Sequence, residues 1–575
     1  MEDNDFSVNA KIVNAQLEVI LGSKWIEKTD ILEYVNILIL CIKQKSIKSE
    51  RMVQLLLNNE KYSSIMITDN DENSSYKKFL STMILFTLFN FNPVINSTPT
   101  VQEKLLTFYS GTISSDDKLI IKMLEIIESQ TSNSWTNMIF SWEFIQEEEE
   151  EEVLETIGDT RLITKEKEGL IITLRKRLIE KSIDGYVLER PQIPEFCISS
   201  NKDSFDITTR WNLLKKYYEQ TERCGTAMYG PLLLLLLVLH NKELVKMVKE
   251  EDGSLTYKYE FKKFLDSKLF QFIICSLSDD EAITNISYEH LTNLAVSLEK
   301  KSVQANPVKK VTDKDDEEKE EDNGLIKYNS IYQILIKRIL YHRQQNQDSI
   351  RPLIWFSISR IVDLLKNPTL PLHEKAYRWV LSSSTIRGWD IPMVSDVMMS
   401  YNKRQQDDDN KKEIDMEIYY GELSWVLATI GKGIKTDEDF KMLDKKGVFE
   451  WLLNLINVPY LKERLRKLIF LVFYKVQRVA DDGGLNMISR NGIVSFLEIL
   501  NNNIKSKLPK DNVLNSADVL QNENKNTLNN TFKLVQEQNG IEKLLLGYNE
   551  LVKSQKRLIL WTEGDSDNVV KRLRK

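Results

Sequence analysis

Between Gly421 and Phe470, apolar residues recur at the spacing of short helices, and each run is closed by a residue that cannot continue it. Thr436, followed by Asp437, Glu438 and Asp439, reads as a helix start: its hydroxyl accepts from free first-turn N–H groups, and the acids suit the positive end of the helix dipole. The helix that follows carries Phe440 and Leu443 on one side. Gly447 supplies a sharp turn, after which Val448, Phe449, Trp451, Leu452, Leu453, Leu455 and Ile456 keep helical spacing as far as Pro459. A further amphipathic run begins at Leu465.

The layout returns elsewhere. FKKFLDSKLFQFIICSL, from Phe261 to Leu277, matches FKMLDKKGVFEWLLNL in outline, with Asp266 against Asp444, Phe270 against Phe449 and Ile273 against Leu452. A third copy, ISRNGIVSFLEIL, runs from Ile488 to Leu500. Gly447 and Gly492 are separated by about the period of HEAT and armadillo units, roughly 40–47 residues. One such unit cannot bury its apolar face alone, so the expectation is an all-α fold, an α-solenoid of HEAT/armadillo-like helical repeats.

Composition agrees. The chain has only 12 prolines and 20 glycines in 575 residues, which disfavours a many-turned β architecture. Its net charge of −7 is concentrated: Glu147–Glu152 and Asp313–Asp322 each contribute −6, leaving the rest of the chain at +5. Dense like charge stays solvated, so both runs read as loops attached to a mildly basic body that is able to bind RNA. The leucine run from Leu232 to Leu237, extended by Val238 and Leu239, is about half the roughly 20 residues a membrane span requires and reads as a buried helix. Cys41, Cys197, Cys224 and Cys275 have no framework spacing and read as reduced, partly buried thiols. No secretory signal is visible at the start.

These features divide the chain into an N-terminal helical block (1–145), helical repeats (153–300), an acidic disordered linker (301–323), C-terminal helical repeats (324–501), and a polar tail (502–575) with a loosely docked helix and a basic end, Lys571–Lys575. Pro352 and Pro368 bracket a helix in the fourth segment, Asn402–Lys412 forms a polar insert between two helices, and the stretch around Tyr377 and Val380 forms a further helix.

Catalytic patterns are missing. His240, His290, His342 and His373 are far apart in the chain, and none has zinc-ligand spacing. Gly431-Lys432-Gly433 lacks the phosphate-loop pattern and reads as an interhelical turn, while Tyr109-Ser110-Gly111-Thr112 lacks the first glycine of a nucleophile elbow. The expectation is no enzyme, no cofactor and no metal. Cations are the more informative feature. Lys462, Arg464, Arg466 and Lys467 fall within two helical turns, and Lys441, Lys445 and Lys446 precede them. Together they read either as one groove for an RNA backbone, gripped through counterion release and forked arginine contacts, or as a solvated helix face balanced by Glu463 and the acids at 437–439.

Four phrases carry a resemblance: LLTFYSGTISSDD (Leu105–Asp117), FKKFLDSKLFQFIICSLS, NPTLPLHEKAYRWVLSS with Asp390-Ile391-Pro392 after it, and TDEDFKMLDKKGVFEWLLNLINVPYLKERLRKLI. In this order they resemble the C-terminal region of the nucleolar pre-ribosomal-associated protein family, known in yeast as the unhealthy ribosome biogenesis proteins. The resemblance implies a nucleolar, non-catalytic scaffold in early assembly of the large ribosomal subunit. Its implied partners are pre-ribosomal RNA, small nucleolar RNA and assembly proteins including a DEAD-box helicase. Family proteins carry a long helical region ahead of the matched part. A helical-repeat adaptor that binds only proteins is the alternative.

Overall fold

A computed structural model describes residues 10–41, 47–67, 74–145, 162–166, 169–198, 206–224, 228–241, 244–249, 255–304, 316–345, 350–382, 385–404, 412–458, 461–479, 483–507 and 538–553. The glutamate run Glu147–Glu152, Pro459 and the basic end lie outside them. The chain forms two units, residues 1–307 and 308–575. Helices dominate both, as the sparse glycine and proline foretell.

The first unit is organised around helix Ser74–Phe91, whose residues from Lys78 to Phe86 are all buried, along with Leu88 and Phe89. A helix apolar on nearly every side requires neighbours all round. Helices Thr29–Leu40, Ser49–Leu57, Glu60–Ile67 and Ser115–Thr131 surround it. The leucine run is helix Pro231–His240, with Leu234, Leu235 and Leu237 buried, and no helix among the described residues is long and apolar enough to cross a membrane.

Strands are the main departure from the expected fold. β1 (Ile139–Ile145) pairs in parallel with β3 (Gly169–Arg175), which pairs antiparallel with β2 (Ile163–Glu166). A hairpin joins β4 (Val245–Lys249) to β5 (Leu255–Tyr259). Blocks 1–145 and 153–300 are therefore not purely helical. The run Ile171-Ile172-Thr173 is β-branched and short, a strand signal that the neighbouring helical periodicity obscures.

The phrase LLTFYSGTISSDD is a structural anchor. Asp117, fully buried, accepts hydrogen bonds from Ser110 N (2.9 Å), Thr112 N (2.7 Å) and Thr112 Oγ1 (2.6 Å). Gly111 has φ +73°, and a Cβ there would lie 2.4 Å from the Leu162 side chain. Burial pushes the Asp117 carboxyl up to about 7; the Asp116 charge adds to this, and the hydrogen bonds from Thr112 and Ser110 oppose it. A carboxyl with a higher pKa folded than unfolded holds its proton better in the folded state. Its stabilising contribution is complete below the ordinary 3.8 and is lost as pH rises toward about 7. Amide-exchange protection at Ser110 and Thr112, relative to an Asp117→Asn variant, should accordingly decline between pH 4 and 7; a rise would contradict this assignment.

In the second unit, helix Pro352–Lys366 is buried from Leu353 to Ser359 and again at Ile361, Val362, Leu364 and Leu365. It packs on helices His373–Ser382 and Lys412–Gly433. Helices Asp437–Lys445, Val448–Ile456, Glu463–Val479, Gly483–Ser489 and Ile493–Lys507 then pack successively, each on the next. Gly431-Lys432-Gly433 is not a turn; it is the last turn of its helix. A Cβ at Gly433 would meet Leu353 Cδ1 at 2.5 Å and Phe356 Cδ1 at 2.8 Å, so the two helices approach closely only over glycine.

Two further expectations change. Helix Asp316–Gln344 begins inside the segment expected as linker, where Glu and Lys favour a helix and acids suit its first turns. The tail helix, residues 538–553, is firmly seated: Ile541 and Tyr548 are fully buried, Tyr548 Oη donates to Phe473 O (3.1 Å), and Lys505 pairs with Glu542 (3.2 Å).

Candidate nucleic-acid interface

Thr436 caps helix Asp437–Lys445 as expected, in a capping box with Asp439 at the third helical position. Gly447 (φ +68°) and Gly492 (φ +61°) stand between successive helices. At the corresponding corner of the Phe261–Leu277 copy, the left-handed residue is Lys268 (φ +67°), between helices Phe261–Asp266 and Leu269–Ser276. The same bend thus occurs at all three sites. Phe440 and Phe449 stack across the second of these corners with centroids 5.0 Å apart.

The seven expected cations do not share one direction. Lys441 pairs with Asp437 (2.6 Å) on its own helix, Lys467 with Glu463 (2.7 Å), and Lys462 with Glu417 (3.7 Å) while lying 5.4 Å from the Tyr420 ring centroid. Lys446 pairs with Asp390, Arg466 is half-buried, and Lys445 and Arg464 are exposed with no carboxylate partner among the described residues. Exposed pairs of this kind contribute about 0–1 kcal/mol, so phosphate exchanges readily for the carboxylate.

Lys446 points to a feature that the spacing of cations along the chain does not show. Trp389 is 59% exposed and has two cations close to its ring, with Arg387 Cζ 5.5 Å and Lys446 Nζ 5.8 Å from its ring centroid. Its loop is pinned by two arginines. Arg338 donates to Trp379 O and Thr385 O, both at 2.9 Å, with its guanidinium 4.0 Å over the Trp379 ring. Arg351 donates to Gly388 O (3.3 Å) and pairs with Glu438 (3.4 Å). Burial, with the Arg387 charge second, lowers the Arg338 pKa to about 10, which leaves it charged at neutral pH. The signal was present as Arg387-Gly388-Trp389, an aromatic beside a cation in a loop.

Two of the four histidines, His290 and His373, have structural partners. His290 is buried between Tyr259 Oη (3.1 Å) and Leu235 O (3.0 Å), and burial lowers its pKa to about 4. His373 Nδ1 bonds Leu364 O at 2.6 Å.

A family model described as nucleolar pre-ribosomal-associated protein 1 matches residues 270–496, a span containing Arg387, Trp389 and all seven cations. Nucleolar pre-ribosomal-associated protein 1 of Saccharomyces cerevisiae (strain ATCC 204508 / S288c) is 75% identical over all 575 residues. The chain belongs to the nucleolar pre-ribosomal-associated protein family. It spans 32% of that relative's length. The relative's name agrees with the nucleolar localisation expected above. No solved structure matches the chain significantly.

Proposed function

We propose that this member of the nucleolar pre-ribosomal-associated protein family is a non-catalytic scaffold in early assembly of the large ribosomal subunit, and that it grips unpaired pre-ribosomal RNA at Trp389. The observation that carries this is an exposed tryptophan on a pinned loop, flanked by Arg387 and Lys446. A base stacks on an aromatic face regardless of sequence, while the flanking cations meet its phosphates. The family name, which refers to pre-ribosomal association, supports the same reading. Successive helix packing in 437–507 supports a HEAT/armadillo-like array, whose long surface holds RNA and assembly proteins together. Small nucleolar RNA and a DEAD-box helicase are partners this scaffold would hold in place.

Fluorescence anisotropy with a short labelled single-stranded RNA tests the proposal. Trp389→Ala should weaken binding by about 1–3 kcal/mol, roughly 5- to 150-fold. Lys446→Glu with Arg387→Glu should make the slope of log affinity against log salt shallower by about 0.7 for each phosphate left without its cation. Lys462→Glu with Arg464→Glu and Lys467→Glu tests the second group of cations in the same way. Binding that none of these variants changes would remove RNA from this face and favour the protein-only adaptor.

A further inference from the structure

The first unit contains a cavity of about 400 Å³, bordered by helices Thr29–Leu40, Ser74–Phe91, Pro93–Asn96, Ser115–Thr131, Glu195–Ile198 and Ile207–Cys224. That volume lies within the roughly 300–1,000 Å³ of small-ligand sites. Its walls combine apolar side chains, Met83 and Phe196 among them, with polar Thr87, Asn90, Ser129 and Gln130, and Arg210 lines it from the first turn of helix Ile207–Cys224.

Arg210 is only 8% exposed, yet its guanidinium makes no hydrogen bond or ion pair with any described residue, and its Nε is buried without a partner. Asp206, the residue just ahead of its helix, feels the Arg210 charge, but this exposed carboxylate accepts from Thr209 N (3.2 Å). A buried, uncompensated guanidinium is costly, and it marks a place where an anion would be held. The other polar groups of the cavity are largely committed: Thr87 Oγ1 donates to Met83 O (2.8 Å), Ser129 Oγ to Ile126 O (2.7 Å), and Asn90 Nδ2 to Cys197 O (3.4 Å). Charge recognition therefore falls to Arg210 alone, in a helix first turn whose dipole also favours an anion.

We infer that this cavity binds a carboxylate carried on an apolar body, with Arg210 as its forked partner. A single guanidinium matches a monoanion in charge and shape, whereas a phosphate dianion would leave one charge unmatched. The source is either the free C-terminus of a partner peptide ending in an apolar residue or a small free acid. The inference does not depend on the RNA reading, since it concerns the other unit.

Calorimetry on the whole chain with N-acetyl-phenylalanine and with its amide tests the inference. The acid should bind at least about 10-fold tighter than the amide, a preference of about 1.4 kcal/mol. Arg210→Gln should bring that ratio to about 1. Should Arg210→Gln fold poorly, Thr87→Phe, which fills the cavity and leaves Arg210 in place, should abolish binding of the acid. An octapeptide ending in Phe with a free carboxylate then distinguishes the sources: tighter binding than the single amino acid indicates a partner's C-terminus, equal binding a free acid. No binding of any acid, or acid and amide binding alike, would overturn the inference.

Discussion

Replacing Asp439 with alanine should destabilise the second unit by about 3–5 kcal/mol, the scale for leaving three backbone donors without their acceptor. Asp439 is fully buried, and its carboxylate accepts from Leu353 N (3.1 Å), Lys435 N (3.0 Å) and Thr436 N (3.0 Å). Leu353 N lies in the first turn of helix Pro352–Lys366, where the helix itself offers no acceptor. One carboxylate thus completes its own helix start and ties that start to the central helix of the unit. Alanine would strand all three donors, each costing about 1–3 kcal/mol when left without an acceptor or reached only by intruding water. Asparagine retains one acceptor oxygen and should lose less. Urea unfolding followed by hydrogen exchange at Leu353, Lys435 and Thr436 reads the effect. A loss below about 1 kcal/mol, the value of an ordinary exposed cap, would show that these bonds do not join the helices.

The second large effect has the opposite sign. Arg175→Met should stabilise the first unit by about 1–4 kcal/mol, the range found when buried charges give way to apolar residues of similar volume. Arg175 ends β3 with 2% exposure, and none of its three guanidinium nitrogens has a hydrogen-bond partner among the described residues. Its useful contact is through the backbone, where its N–H donates to Tyr229 Oη (3.3 Å), and methionine keeps that bond. Methionine fills comparable length without a charge to desolvate. Destabilisation in thermal or denaturant unfolding would mean that the guanidinium is compensated, and would reverse this account.

Local features were the most legible in the sequence. The Thr436 capping box, the left-handed glycines 447 and 492, and the Pro352 helix start all depend on residues within a few positions of one another, so spacing alone reveals them. Lys268 takes the same left-handed bend without glycine to announce it. The strands escaped notice because a four- to seven-residue segment carries too few periods to stand against surrounding helical runs.

The candidate site divides in the same way. The cations at 441–467 were visible as a cluster along the chain, but helix phase and packing turn Lys446 toward Asp390 and Lys462 toward Glu417. Trp389 joined the picture only through Lys446, 57 positions later in the chain. The Arg210 cavity is assembled from six helices and has no sequence signature.

By itself, then, the order of amino acids determined the helical character, the corners and the family likeness, since each arises from backbone preferences and short-range spacing. Tertiary structure decided which charges are paired, which arginines are buried without a counter-charge, and which tryptophan remains at the surface. Those outcomes depend on desolvation and on neighbours brought together from distant positions, which no local pattern encodes.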